Sequence, residues 1–261
     1  MWEFKILKQN GWNVLKNQGY WTPFLVCFVS YLLGASSFVG TGSSSSSSES
    51  YEEGSSYESL FPELESFWNS ALESPLFIAA IITVCIVAIA STIAVAIFVS
   101  APVAVGRNRF FMEHRAFGSK FSRLFWAFKC GNYLNVVKIM FWKEIKITLW
   151  TLLFIIPGII KTYEYFMVPY ILAENPSLSS KEVFALSKQM TKDEKMSILI
   201  LELTFIGWYL LCILTCGIGY FFLEPYIQAT YAELYQVMRE KAHGLGFADY
   251  NELPGFFPEQ K

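Results

Sequence analysis

Residues 75–105 read PLFIAAIITVCIVAIASTIAVAIFVSAPVAV, without one charged side chain. Between Ile81 and Val99 the run holds eleven Ile, Val or Phe residues. At roughly −0.3 to −0.6 kcal/mol each, these favour insertion into a bilayer by about 3–7 kcal/mol. A helix rises about 1.5 Å per residue, so about 20 residues cross the hydrocarbon and this run is long enough. The rest of the chain agrees. It is 54% hydrophobic and 16% charged, against about 25% charged in soluble domains, so it lacks the polar side chains to cover a water-facing surface. We therefore expect an all-α, polytopic transmembrane bundle of six spans, or five, with interfacial amphipathic helices.

Residues 1–20 set Lys5, Lys8 and Lys16 among Trp2, Phe4, Ile6, Leu7 and Trp12, which suits a helix lying in the headgroup region. Residues 21–39 form a first apolar span; the small residues Gly34, Ala35 and Ser36 leave a cleavable signal peptide as the alternative. Residues 40–74 carry a six-serine run and seven glutamates with no Lys or Arg, the composition of a disordered external loop. Residues 75–105 are the second span, with Pro102 and Gly106 at its end. Residues 106–131 are a basic loop in which Phe121, Leu124, Phe125 and Phe128 recur at helical spacing between Lys120, Arg123 and Lys129. Basic charge marks the cytoplasmic side, placing both termini inside a cytoplasmic membrane. Anionic lipid beside that loop accounts for its charge, and a nucleic-acid partner is not implied.

Residues 132–156 give a third span, with Lys138, Lys143, Glu144 and Lys146 snorkelling from its first half. Pro157 and Gly158 are expected to end it. Residues 158–175 are too charged to insert alone. Lys161 and Glu164 cost roughly 2.5–3.5 kcal/mol each at the bilayer centre. They cross as the second arm of a hairpin, which keeps Lys181, Lys188, Lys192 and Lys195 inside; without that crossing the chain has five spans. Residues 177–192 form an amphipathic helix. Ser179 and Glu182 fit a capping box, Leu178 and Val183 a hydrophobic staple, and Val183, Leu186 and Met190 an apolar stripe. Residues 196–216 and 218–238 are the last two spans, and residues 239–261 an irregular cytoplasmic tail.

Three helices share a pattern, proline with a small residue four positions later: Pro102/Gly106, Pro169/Ala173 and Pro225/Ala229. This points to three related hairpins whose prolines open backbone carbonyls toward a shared centre. Proline and small residues are also common in membrane helices generally, which explains the pattern without a repeat.

The stretches IPGIIKTYEYFMVPYILAENPSLSSKEVFALSKQM, FIGWYLLCILTCGIGYFFLEPYIQATYAELY and SAPVAVGRNRFFMEHR resemble the bacterial integral membrane family called domain of unknown function 975. The similarity covers most of the chain outside the serine loop and the tail. More loosely, the chain is similar to the membrane domain attached to some glycerophosphodiester phosphodiesterases. The resemblance implies no activity and no catalytic residue.

Ionisable groups inside spans are the places where function would lie. Lys161 and Glu164, three apart, can simply pair with each other. Alternatively Glu164 and Glu224, with Tyr163, Tyr165, Tyr170 and Tyr226, line a polar central cavity. Glu202 is expected near the inner interface. Cys27, Cys85, Cys130, Cys212 and Cys216 show no disulfide or metal spacing, and no phosphate loop, zinc motif or nucleophile elbow is present. No cofactor or metal is implied. Three function classes remain: binding or movement of a small molecule, ion or lipid; a scaffold for other membrane proteins or for copies of itself; and a membrane-embedded enzyme acting on lipid.

Overall fold

The computed structural model describes residues 3–34, 74–215 and 217–256; the serine-rich loop, Cys216 and the end of the tail lie outside the described residues. The chain is all-helical among them. It divides into two units, Ser37–Val95 and a larger one made of Met1–Ser36 with Ala96–Lys261. The smaller unit contributes α3, Pro75–Val95, none of whose residues is buried.

In the larger unit, α1 (Phe4–Gln18) and α2 (Trp21–Leu32) come first. A π-helical turn at Ala96–Ser100 leads into α4, Ala101–Phe117. A 3-10 turn at Phe121–Phe125 runs into α5, Trp126–Lys129. Then come α6 (Tyr133–Leu153), α7 (Ile155–Glu164) and α8 (Val168–Glu174). The last four are α9 (Ser180–Met190), α10 (Lys195–Leu203), α11 (Ile206–Leu214) and α12 (Ile218–Gly244).

Several helices differ from their sequence expectation. The helix begun before Pro102 does not end at Gly106 but continues to Phe117, burying Arg107, Asn108, Glu113 and His114. The supposed surface loop is therefore core for half its length. The break after α6 falls at Phe154, whose backbone is extended (φ −152°, ψ 135°). Pro157 and Gly158 sit in the first turns of α7 instead of ending α6. Proline costs nothing there, because a first-turn N–H has no helical partner. Gly158 packs so closely on α6 that an added Cβ would lie 2.4 Å from Thr151 Oγ1. Residues 158–175 are not one helix: Tyr165–Met167 form a turn ahead of Pro169, whose ring would clash with the Tyr165 carbonyl in a continuous helix. Residues 196–216 are likewise interrupted, at Thr204–Phe205. There Lys8 Nζ donates to the Thr204 carbonyl (3.2 Å) and lies 4.2 Å over the Phe205 ring.

The packing obeys one rule three times. The chain divides into α1 and α2 with α4; the 3-10 turn and α5–α6 with α7–α8; and α9–α11 with α12. In each set an amphipathic piece precedes two arms, and the second arm carries the proline. Each amphipathic piece packs on the proline-bearing arm of the set before it: the 3-10 turn on α4, α9 on α8, and α1 on α12. The first arms follow suit, α2 touching α12, α6 touching α4, and α10 touching α7. The order of contacts is a closed ring of three.

Proline chemistry explains part of this rule. A proline withholds the N–H that would bond the carbonyl four residues earlier. Near each proline a carbonyl accepts a hydroxyl from the next set in the ring, and at Pro102 it is the very carbonyl the proline leaves without a donor. Phe98 O, four before Pro102, takes Tyr133 Oη at 2.6 Å. Glu164 O, five before Pro169, takes Ser187 Oγ at 2.8 Å. Phe222 O, three before Pro225, takes the Tyr20 hydroxyl. These carbonyls are capped by neighbouring hairpins and do not open toward a common centre. The small residue four after each proline lies at a close approach in all three. A Cβ on Gly106 would be 2.0 Å from the Leu124 carbonyl oxygen. The Ala173 carbonyl accepts Arg109 Nη1 at 2.7 Å. Ala229 meets Gly11, where an added Cβ would lie 3.2 Å from the Ala229 carbonyl carbon.

The surface divides by helix segment. In α6 the first half buries Val136, Val137, Ile139 and Met140, whereas Leu149, Leu152 and Leu153 in the second are exposed. In α12, Ile218 and Phe222 are exposed and Leu223, Ile227 and Leu234 buried. Two helical stretches among the described residues are long and apolar enough to cross a membrane, Pro75–Phe117 and Lys195–Leu214.

Helix α9 forms as its local sequence requires. The Ser179 N–H donates to Glu182 Oε2 (2.8 Å), Glu182 N–H donates to Ser179 Oγ (3.4 Å), and Val183, Leu186 and Met190 are buried. Hydrogen bonds from the Ser179 N–H and then its hydroxyl hold the Glu182 carboxyl below its usual range. A depressed folded pKa adds stability that is full above the unfolded carboxylate pKa and is lost as pH falls through the lowered value. Ser179→Ala is expected to cost about 1 kcal/mol of stability, read as a lowered unfolding temperature; an unchanged value contradicts the cap.

Candidate functional site

Two buried charges meet between α4 and α12. Arg107, 5% exposed, points Nη1 at Glu224 Oε1, 3.8 Å away. Gln228, one helical turn on from Glu224, donates Nε2 to the same oxygen at 2.9 Å. Tyr220, one turn before, shares a hydrogen bond with this carboxylate. The positions follow from helix geometry, since residues 220, 224 and 228 lie on one face of α12. Cys27 of α2 and Tyr170 of α8 are within electrostatic reach of both Arg107 and Glu224.

A second carboxylate lies close by. Glu202, half-buried on α10, accepts the Tyr163 hydroxyl on Oε2 (2.5 Å) and the Tyr231 hydroxyl on Oε1 (3.4 Å). Both Glu202 and Glu224 act electrostatically on Tyr170 and Tyr209, so one polar cluster spans α4, α8, α10, α11 and α12. The two carboxylates differ in one respect. Glu224 faces a guanidinium, whereas Glu202 forms no ion pair among the described residues and is held by neutral hydroxyls. It stands two residues before the Thr204–Phe205 interruption.

The residues expected to line one cavity do not gather in one place. Glu224 and Tyr170 belong to the cluster, and Tyr163 joins it through Glu202. Glu164 stands apart, between Lys161 Nζ (3.0 Å) and Lys195 Nζ (3.3 Å), so it takes the local partner its spacing offered and a second one from α10. Tyr165 packs its ring edge on Phe184, with centroids 5.0 Å apart. Tyr226 lies between Trp12 and Phe205, with edge contacts at 6.0 and 5.8 Å.

Sequence reasoning missed Arg107, Gln228, Tyr209, Tyr220, Tyr231 and the central place of Glu202. The four-residue spacing of Tyr220, Glu224 and Gln228 was a usable signal. Arg107 gave none, because it sits in a run of basic residues. Most arginines of that run are also paired. Arg109 and Arg123 meet Glu113 at 2.7 and 2.9 Å, Arg115 meets Glu233 at 2.6 Å, and Arg109 Cζ lies 3.8 Å over the Trp126 ring. Among the described residues no three His, Cys, Asp or Glu side chains gather as a metal site.

Fold and cluster together define an all-helical protein with buried charge between helices and apolar segments able to cross a membrane. The chain belongs to the family described as Protein of unknown function (DUF975), which matches residues 48–242. The match takes in the whole polar cluster except Cys27 and leaves α1 and α2 outside. Neither the curated proteins nor the solved structures give a match to this chain.

Proposed function

We propose that the chain is a multi-pass protein of the cytoplasmic membrane that binds and moves a proton or small cation without catalysing a reaction. In this reading it has six spans, with both termini cytoplasmic and the exposed lysines Lys120 and Lys129 facing anionic lipid headgroups. The observation that carries the function is Glu202. A carboxylate between apolar helices needs a counter-charge, and its observed partners are two hydroxyls. A proton or small cation supplies the missing charge. The interrupted helices beside it support the reading, because irregular backbone at membrane depth belongs where protein or a cavity surrounds it.

The test is flux into reconstituted vesicles carrying an internal pH or cation indicator, under imposed proton, sodium and potassium gradients. Wild type should conduct above protein-free vesicles, Glu202→Gln should fall to background, and Glu240→Gln on the exposed end of α12 should match wild type. Wild-type flux at background for all three ions sinks the proposal. A scaffold role is the second reading, favoured by the way Arg107, Gln228 and Tyr220 all converge on Glu224. It predicts a discrete cross-linked complex in intact membranes that Glu202→Gln leaves unchanged.

A further inference from the structure

The reversal between α9 and α10 encloses a bowl of about 640 Å³. Its wall includes Lys188 and Gln189 from α9, Lys192 and Asp193 from the turn, and Lys195 and Met196 from the start of α10. Helix α9 turns its apolar stripe inward, so Lys188 and Gln189 stand on its outer face. Asp193 adopts a left-handed backbone (φ 66°), a conformation Asp tolerates better than most residues. This folds the chain back and brings Lys192 and Lys195 to the same hollow.

The charge there is not balanced. Three ammonium groups face the one carboxylate of Asp193. Lys195 shares Glu164 with Lys161, so that carboxylate already serves two cations. The ammonium groups of Lys188 and Lys192 have no ion pair or hydrogen bond among the described residues. This contrasts with the arginines of residues 107–123, which meet carboxylates inside the fold.

Position adds a second constraint. Met196 is 66% exposed, and the apolar stretch Lys195–Leu214 begins at the bowl. Cationic donors at the foot of an apolar helix lie at the depth of lipid phosphates. Converging ammonium groups make charge-assisted hydrogen bonds to phosphate oxygens. We infer that this bowl binds a phosphate group at the membrane surface, carried by an anionic phospholipid or present as free phosphate. The site is separate from the Glu202 cluster and independent of any ion movement there.

The experiment uses the full chain in neutral detergent, with thermal unfolding as the readout. The probes are dioctanoyl phosphatidylglycerol, dioctanoyl phosphatidylcholine, and inorganic phosphate at matched ionic strength. Phosphatidylglycerol should raise the wild-type unfolding temperature and phosphatidylcholine should not. In K188Q/K192Q the apparent affinity should fall about tenfold or more, the cost of losing charged hydrogen bonds. K181Q, an exposed lysine of α9 outside the bowl, should respond as wild type does. A shift from inorganic phosphate that lipid does not increase identifies free phosphate as the ligand. The inference is overturned if neither phosphatidylglycerol nor phosphate shifts the wild type. It is also overturned if phosphatidylcholine raises the unfolding temperature as much as phosphatidylglycerol does, or if K188Q/K192Q responds fully. Each lysine is exposed, so the variants should fold; the single changes K188Q and K192Q carry the same test.

Discussion

Gly106→Ala is expected to cost at least about 3 kcal/mol and to leave little folded protein in a detergent extract. The added methyl group would lie 2.0 Å from the Leu124 carbonyl oxygen and 2.8 Å from its carbon. Overpacking in a core is often relieved when a side chain changes rotamer, but here the obstacle is backbone. Relief requires the Phe121–Phe125 turn to move off α4, and with it the Arg123–Glu113 pair. Gly207 is the control: a Cβ there meets nothing within 4 Å. Gly207→Ala should be neutral or gain up to about 1 kcal/mol from helix propensity. Size-exclusion profiles and unfolding temperatures of the two variants give the answer. A monodisperse Gly106→Ala protein that melts with wild type would refute the close packing.

Arg107→Met should destabilise the protein by about 3–5 kcal/mol, because it strands the buried Glu224 carboxylate without its cation. Gln228 and Tyr220 still reach that carboxylate, but neutral donors do not replace a charge. Arg107→Met combined with Glu224→Leu should recover most of the loss, since an apolar pair of similar volume avoids the desolvation cost. The non-additivity is the measurement: the double variant must be more stable than Arg107→Met alone. If the losses simply add, the two groups do not interact across α4 and α12. Should the double variant fold and still conduct ions, Arg107 and Glu224 are scaffolding for Glu202 rather than part of the path.

What could be read from the sequence was local. The Ser179 cap, the stripe of α9 and the Lys161–Glu164 pair all join residues a helical turn apart, and all are present. The three prolines were visible as a pattern, but their consequence was not. The hydroxyls that cap the carbonyls near them come from other sets of the ring, and Tyr20 reaches Phe222 across 202 residues. The burial of the basic run was hidden for the same reason. Within residues 106–131 the sequence offers one acidic residue, Glu113, while Glu224 and Glu233 arrive from α12, the latter 118 residues from Arg115. For Glu202, too, nothing nearby in sequence marks the partners. Its partners Tyr163 and Tyr231 lie 39 and 29 residues away.

The contact between α1 and α12 has a consequence for how the molecule is made. Gly11 lies against the backbone of Ala229 and Thr230, so the ribosome must deliver α12 before α1 finds its seat. Until then α1 lacks its seat on α12, keeping only its contact with α4, and the Arg107 guanidinium has no Glu224. At about 5–20 residues per second, the more than 200 residues between them take on the order of 10–40 seconds to make. A chain stopped before residue 218 lacks the piece that seats α1 and neutralises Arg107. Quality control that recognises exposed helix faces would find one on such a chain.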